Sequence, residues 1–242
     1  MKTLFANGCS FSTGAGLPYC DDMRYRHIVL DQIWAKHLSN HLNCESYVNL
    51  AQPCGSNQRM FRTTFNWILQ QPQSILNNTV AVIQFTDGFR YEYYVSKDNY
   101  QWENDCHQWT VVKEGVLMCP GLSTDEREFE LREIENRFKK YTYEDDFYKF
   151  LTWFHAFDNL FKQHNIEYYI WDRSHRFPTI PINYMDYIVK NFNYLNNEPP
   201  YFLSYDTIPN DGHPSLQGHI DIANILYDRI KKLNLYNKYS DA

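Results

Sequence analysis

Residues 79–85, Thr79-Val80-Ala81-Val82-Ile83-Gln84-Phe85, form the strongest strand pattern in the chain. The run is short, almost wholly apolar and rich in β-branched side chains, which predicts a strand buried on both faces. Leu4-Phe5-Ala6, the segment 47–51 and the segment 166–171 have the same character. Helical patterns separate these runs, and strands that alternate with helices indicate an α/β fold with a parallel sheet covered on both faces.

Helical periodicity fills the segments between the predicted strands. Apolar residues recur at near-helical spacing in four stretches: Ile28, Ile33, Trp34, Leu38 and Leu42; Met60, Phe61, Phe65, Ile68 and Leu69, ending before Pro72; Phe147, Phe150, Leu151, Phe154, Phe157, Leu160 and Phe161; and Ile220, Ile222, Ala223, Leu226 and Ile230. Each stretch predicts one amphipathic helix, and the phenylalanine stripe is typical of core packing. Tyr201-Phe202-Leu203 is consistent with a short last strand.

The segment 88–142 interrupts this alternation. It is rich in tyrosine, tryptophan and charge, and its Glu/Arg-rich part, 125–140, predicts a solvated helix. We expect one domain over 1–242, with this segment inserted over an edge of the sheet as a cap. Its aromatic residues predict either a lid on which sugars stack or interior packing of the insertion: Tyr91, Tyr93, Tyr94, Tyr100, Trp102 and Trp109.

Composition restricts the classes of function. A formal net charge of −6 over 242 residues argues against nonspecific nucleic-acid binding, which needs a basic surface. The six cysteines show neither a CxxC pair nor metal-ligand spacing with histidine, which predicts reduced thiols and no metal: Cys9, Cys20, Cys44, Cys54, Cys106 and Cys119. The sequence has no secretory signal pattern and no apolar run that could span a bilayer, so we expect a soluble, cytoplasmic protein.

The segment Gly8-Cys9-Ser10-Phe11-Ser12 follows the first predicted strand directly. The glycine permits a sharp turn that would expose the Ser10 hydroxyl, so Ser10 is a candidate nucleophile. A serine hydroxyl needs an oriented base to react. The alternative interpretation is that Ser10 or Ser12 only caps a helix, and Cys9 is the less favoured nucleophile because it would face the core.

The segment Asn210-Asp211-Gly212-His213-Pro214-Ser215 contains a candidate base. An aspartate close in sequence can hold the imidazole by its Nδ1 hydrogen and leave Nε2 to take the serine proton. Ser215 is placed to cap the last helix, which would fix His213 just before it. The alternative is a loop histidine with a turn-forming aspartate, and His219, inside the helix, is interpreted as structural.

Two middle segments are candidates for binding an oxyanion. Gly55-Ser56-Asn57 follows the second strand, where Gly55 would offer a backbone N–H and Asn57 an amide donor. Gln84-Phe85-Thr86-Asp87 ends the third strand, where Thr86 would donate a hydroxyl hydrogen. Donors of this kind contribute about 3–4 kcal/mol each when they meet the developing charge. Taken singly, each segment is equally consistent with ordinary turn chemistry.

Together and in this order, the four segments resemble the blocks of the SGNH hydrolases, also called the GDSL esterase/lipase superfamily. The resemblance implies a three-layer α/β/α sandwich with a flavodoxin-like sheet and serine-dependent ester hydrolysis without a cofactor. The chain departs from the family pattern in having Cys9 after the first glycine and Thr86 in place of an asparagine. The family spacing would also assign the acid to Asn210, whereas we favour Asp211 and keep Asn210 as the alternative.

The leading hypothesis is an esterase or carbohydrate deacetylase in which Ser10 attacks, His213 carries the proton and Asp211 orients it. The Ser10 N–H, Gly55, Asn57 and Thr86 would hold the oxyanion. Asp87 and Arg90 are weaker candidates for substrate contacts, with a surface salt bridge as the other interpretation of Arg90. The expected partner is a small-molecule or glycan ester, and the oligomeric state is open. The alternatives are a weak or inactive binding module with this fold, and an acyltransferase.

Overall fold

The computed structural model describes residues 1–20, 26–53, 55–86, 90–94, 109–113, 116–118, 143–172, 182–196 and 205–240. Its strands are β1 (Thr3–Asn7), β2 (Ser46–Asn49), β3 (Thr79–Phe85), β4 (Tyr91–Tyr94), β5 (Trp109–Lys113), β6 (Val116–Met118) and β7 (Glu167–Asp172). Its helices are α1 (Ser10–Thr13), α2 (Arg26–Leu30), α3 (Trp34–His41), α4 (Asn57–Gln70), α5 (Gln73–Leu76), α6 (Tyr143–Gln163), α7 (Ile182–Asn191) and α8 (Leu216–Ser240).

The main sheet is parallel and has the strand order β2-β1-β3-β7. A parallel bridge between Ile170 and Tyr194 extends the sheet beyond β7. The order is that of a flavodoxin-like sheet. All of β1 and β3 is buried, as their apolar runs predict.

Side chains that alternate along the strands feed two separate cores, one on each face of the sheet. Phe5, Ala81 and Ile83 pack in the core that α4, α6 and α7 cover. Leu4, Ala6 and Val82 pack in the core that α3 and α8 cover. The three-layer α/β/α architecture predicted from the sequence is therefore confirmed.

The phenylalanine stripe of α6 is core packing, as predicted. Phe85 of β3 makes edge-to-face contacts with Phe150 and Phe154, at centroid distances of 5.1 and 5.0 Å. Such pairs add about 0.5–1.5 kcal/mol each beyond the area that they bury. They fix the carboxyl end of β3, where the candidate oxyanion segment begins.

Register brings the chemical segments to one edge of the sheet. Asn7, the last residue of β1, lies opposite Ile83 of β3, and Phe85 lies opposite Asp172 of β7. Both strands therefore end at the same edge, with the turn at Gly8 beside the segment that contains Thr86. Functional groups of parallel sheets gather at this edge.

One predicted helix needs correction, and two observed helices were not predicted. The single helix expected over residues 28–42 is two helices, α2 and α3, because the chain turns between them and Ile33 is extended at the start of α3. The helices α5 and α7 have no counterpart among the predicted elements.

Three strands inside the predicted insertion were also not predicted. β4, β5 and β6 pair antiparallel in a sheet of their own. Most of 88–142, the predicted helix at 125–140, the predicted strand at 201–203 and the aromatic side chains of the expected lid lie outside the described residues.

Candidate active site

The nucleophile segment is a tight turn between β1 and the short helix α1. Asn7 anchors it, because its amide donates to the Met60 carbonyl and to the Thr63 and Thr64 hydroxyls on α4 while its Oδ1 accepts from the Gly8 N–H. Ser10 then begins α1, and its side chain is 8% exposed. The hydroxyl therefore lies in a rigid, largely buried turn.

His213 is held by a loop folded back on itself before α8. The His213 carbonyl accepts from the Ile208 N–H at 2.8 Å. Thr207 and Pro214 pair in an isolated antiparallel β-bridge. Ser215 caps α8, as predicted, because its Oγ accepts from the Gly218 N–H at 3.0 Å. The imidazole packs on the Phe11 ring at a centroid distance of 5.1 Å.

Ser10, His213 and Asp211 form a continuous chain of hydrogen bonds. Ser10 Oγ lies 2.9 Å from His213 Nε2, and His213 Nδ1 lies 2.9 Å from Asp211 Oδ1. Asn210 is exposed in the left-handed conformation at φ 66° and turns the chain. Asp211, rather than Asn210, is therefore the group at Nδ1.

Gly55 contributes differently from the expectation. Its N–H donates to the Gln52 carbonyl at 2.9 Å, so it is engaged within the protein and not directed at a substrate. A Cβ at this position would lie 3.0 Å from both the Gln52 and the Gly8 carbonyl oxygens. The glycine lets the backbone pack against the nucleophile turn.

Asn57 also contributes differently. Its amide donates to the Thr86 carbonyl at 3.0 Å and its Oδ1 accepts from the Thr86 N–H at 2.9 Å. The side chain is 2% exposed and ties the first turn of α4 to the end of β3. It positions Thr86 instead of projecting a free amide into the site.

Asn57 pairs with the backbone of Thr86 but not with its buried hydroxyl. Thr86 is 2% exposed, and its Oγ1 has no hydrogen-bond partner within the described segments of the chain. Buried hydroxyls are normally paired, so one that lies at the functional edge of the sheet is suited to a ligand.

Arg90 is buried, at 6% exposure, and so does not lie at the surface, where the salt-bridge interpretation placed it. Its guanidinium lies 3.5 Å from the Gly55 carbonyl oxygen, which places a cation beside the nucleophile turn. Asp87, the other candidate for a substrate contact, lies outside the described residues.

Three residues that the sequence did not single out shape this site. The buried side chains of Ser12 and Gln84 are hydrogen bonded to each other at 2.6 Å beneath the turn. Gly16, at φ 85°, lies behind Asp211. A polar residue inside an apolar strand pattern was the available signal for Gln84. The sequence indicated Ser12 only as a helix cap, and nothing in the local pattern marked Gly16.

His219 is structural, in agreement with its position inside the last helix. It is fully buried, and its Nδ1 accepts from the Trp34 backbone N–H at 3.3 Å. Burial, with smaller contributions from His37 and His213, lowers its pKa from 6.5 to about 3. The ring is therefore neutral where the protein is folded at neutral pH.

Within the described residues, no group of three or more His, Cys, Asp and Glu side chains could hold a metal ion. Among the helices of those residues, none combines the length and the apolar character needed to cross a membrane.

Solved structures similar to the chain over most of its length include lipolytic proteins and esterases. One is assigned to the G-D-S-L lipolytic family, from Desulfitobacterium hafniense DCB-2, with a TM-score of 0.49 and 10% identity over 95% of this chain and 99% of that chain. The psychrotrophic esterase EstA from Pseudoalteromonas sp. has a TM-score of 0.49 and 11% identity over 96% and 98%. A G-D-S-L lipolytic family member from Veillonella parvula DSM 2008 has a TM-score of 0.47 and 8% identity over 94% and 97%.

The sequence comparisons give a family without an assigned activity. No curated protein matches the chain. Residues 19–177 match the model of a family of unknown function, DUF6071, and this match excludes both Ser10 and His213. Because the matched segment is well over half of the 242 residues, the chain belongs to the DUF6071 family.

Proposed function

We propose that this protein is a serine hydrolase that cleaves ester bonds through an acyl-enzyme on Ser10. The observation that carries the proposal is the hydrogen-bonded chain from Ser10 Oγ to His213 Nε2 and from His213 Nδ1 to Asp211, each link 2.9 Å long. A serine, a base in contact with it and an acid that orients the base are what nucleophilic hydrolysis needs.

The reaction would follow from these contacts. Ser10 Oγ attacks the acyl carbon while its proton passes to His213 Nε2, and Asp211 stabilises the imidazolium that forms. The tetrahedral intermediate then expels the alcohol, which takes the proton from Nε2. Water repeats the sequence on the acyl-enzyme, with His213 as its base, and releases the carboxylic acid and the Ser10 hydroxyl.

The proposed oxyanion donors are the Ser10 N–H and the Thr86 hydroxyl. Backbone N–H groups in the first turn of a helix have no acceptor within that helix, and Ser10 is the first residue of α1. The Thr86 hydroxyl is supported by its burial without a partner among the described residues. Gly55 and Asn57 support the site by fixing the turn and Thr86 in place.

The proposed substrate is a small-molecule or glycan ester, with a carbohydrate O-acetyl group as the first choice. Arg90, buried beside Gly55, is kept with Asp87 as a candidate contact for the substrate. The thiols of Cys9, Cys20 and Cys44 are free, as the reducing environment of the cytoplasm would keep them.

A second candidate is a weak or inactive binding module. The observation in its favour is that the Gly55 N–H and the Asn57 amide, both expected as oxyanion donors, are engaged within the protein. Fewer donors would leave the fold and the site geometry intact but slow the chemistry.

Covalent labelling with a fluorophosphonate separates the two candidates. We expect wild type to be labelled, Ser10→Ala to be unlabelled, and Ser39→Ala to be labelled like wild type, since Ser39 is a buried serine on α3. Folded wild type that resists labelling would overturn the proposal and leave the binding module. Turnover of aryl acetates and acetylated oligosaccharides, with and without added alcohols, then separates hydrolysis from acyl transfer.

A further inference from the structure

We infer that Gln84 is a positioning residue. It holds the nucleophile turn in place and so keeps Ser10 Oγ within hydrogen-bonding distance of His213 Nε2. The inference rests on the proposed hydrolase function and adds to it a residue outside the Ser10, His213 and Asp211 set. Its basis is a hydrogen-bonded network beneath the turn that Gln84 joins to the sheet.

Gln84 contacts the turn on both sides of Ser10. Its Oε1 accepts from the Ser12 hydroxyl at 2.6 Å and from the Cys9 N–H at 3.3 Å, and its Nε2 donates to Cys9 Sγ at 3.2 Å. The residues immediately before Ser10 and two after it are therefore tied to one side chain. That side chain is fully buried, so it acts on Ser10 through the backbone and not through a substrate.

The hydrogens of this network can be satisfied in only one orientation of the Gln84 amide. The Cys9 N–H is always a donor, so Oε1 must face it, since the alternative would set two donors against each other. The Ser12 hydroxyl then donates to Oε1 and accepts from the Trp34 indole N–H at 3.0 Å. A buried network in which both polar atoms of the amide have partners favours one arrangement of the chain.

The backbone at Gly8 leaves space for these contacts. A Cβ at residue 8 would lie 2.4 Å from Ser12 Oγ and 2.7 Å from Gln84 Oε1, well inside van der Waals contact. Any other residue at position 8 would displace one of the two partners. The hydrogen bonds of Gln84 to the turn therefore depend on glycine at position 8.

Gln84 lies near the end of β3, close to Thr86, so the network bears on both the nucleophile and the proposed oxyanion donor. Thr86 lies two residues after Gln84, directly beyond the end of β3 at Phe85, where Asn57 holds its backbone. One strand end then fixes both the nucleophile turn and the proposed oxyanion donor. Small displacements matter for such alignments, because a misplacement of about 1 Å can cost about 100-fold in rate.

The test replaces Gln84 by methionine, which keeps most of the volume and removes the strong donor and acceptor. We expect Gln84→Met to fold, to lower the rate constant of fluorophosphonate labelling and kcat for 4-nitrophenyl acetate by about 10- to 100-fold, and to leave KM within about twofold. The matched control is Thr79→Val, which removes a buried hydroxyl bond to Ile75 at the opposite end of the same strand. It should lower the melting temperature without changing the labelling rate.

A second readout keeps the test independent of catalysis. The ¹⁵N chemical shift of His213 Nε2 reports its hydrogen bond to Ser10. In Gln84→Met this shift should move toward its value in Ser10→Ala, and in Thr79→Val it should stay at the wild-type value. A folded Gln84→Met with an unchanged shift overturns the inference, whether or not wild type is labelled. A failure of the proposed function is distinct, because it shows as wild type that does not react at all.

Discussion

Gly16 lies directly behind the carboxylate of Asp211. A Cβ at residue 16 would stand 2.6 Å from Asp211 Oδ2 and 2.6 Å from Ile208 Cδ1, so only glycine leaves the acid where it reaches His213. The backbone there is also left-handed, at φ 85°, which L side chains rarely adopt. Gly16, which follows the nucleophile Ser10 by six residues, therefore also helps to position the Asp211 carboxylate.

Gly16→Ala should therefore impair both stability and the acid. The left-handed conformation costs about 1–2 kcal/mol for a residue with a Cβ, and the contact with Asp211 adds to this. Gly212→Ala is the matched control, since Gly212 has φ 76° with nothing within 4 Å of its Cβ position. Both variants should unfold at lower urea, and Gly16→Ala should lower kcat more than Gly212→Ala does. Equal kcat values in the two variants would refute the contact.

Asp211→Asn should lower kcat while the fold persists. An amide can orient the imidazole but does not stabilise its cation, and the corresponding change in a buried serine-protease triad costs about 10⁴-fold. Because the Asp211 side chain is 41% exposed, we expect a smaller loss, of about 10- to 1000-fold. Asn210→Gly suits the left-handed backbone and should retain wild-type turnover. Loss of turnover in Asn210→Gly with Asp211→Asn unaffected would reverse the assignment.

Thr86→Val separates catalysis from stability. The substitution removes a buried hydroxyl that has no partner among the described residues, so the free energy of unfolding should stay constant or rise. If the hydroxyl stabilises the oxyanion, kcat should fall by about 100-fold. Thr86→Ser keeps the hydroxyl and should retain turnover. Valine that supports full turnover would remove Thr86 from the oxyanion site.

His219 predicts a loss of stability in mild acid. Its folded pKa, about 3, lies below the ordinary value of 6.5, so the unfolded chain binds the proton more readily throughout that window. Stability should therefore fall as pH is lowered through the window, by about 2 kcal/mol between about pH 7.5 and about pH 5.

His219→Asn tests this dependence, because asparagine Oδ1 can accept from the Trp34 N–H in place of His219 Nδ1 without titrating. Urea unfolding at the two pH values should show most of the difference removed in His219→Asn. The exposed control His27→Asn should keep it. A difference that is the same in His219→Asn and wild type would assign the acid sensitivity to other groups.

The sheet could be predicted from the sequence because a short apolar run is enough, by itself, to predict a strand that is buried on both faces. Residues 80–83 and Phe85 are apolar whatever their neighbours are, and the alternation of such runs with helical patterns indicates the layers. The break between α2 and α3 was missed, because the apolar stripe continues through Ile33 although the backbone does not. The stripe records which side chains are buried and not where the chain changes direction.

The candidate site was predictable as residues but not as contacts. Ser10 and His213 stand out because polar residues follow predicted strands or precede a helix. The donors of Gly55 and Asn57 were misjudged, because their partners Gln52 and Thr86 are set by the folded backbone. The sequence indicates only that Gln84 belongs to a strand. Its contact with Ser12, 72 residues away, is set by the fold.

The hydrogen bond between Ser10 and His213 joins positions 203 residues apart. The segment that carries His213 must stay docked on the turn at Ser10 for this hydrogen bond to exist, and local detachment of the segment would break it while the sheet stays folded. Each detachment returns Ser10 to the reactivity of an ordinary alcohol. Under the proposed function, turnover in mild denaturant should therefore measure the fraction of time that this segment is docked.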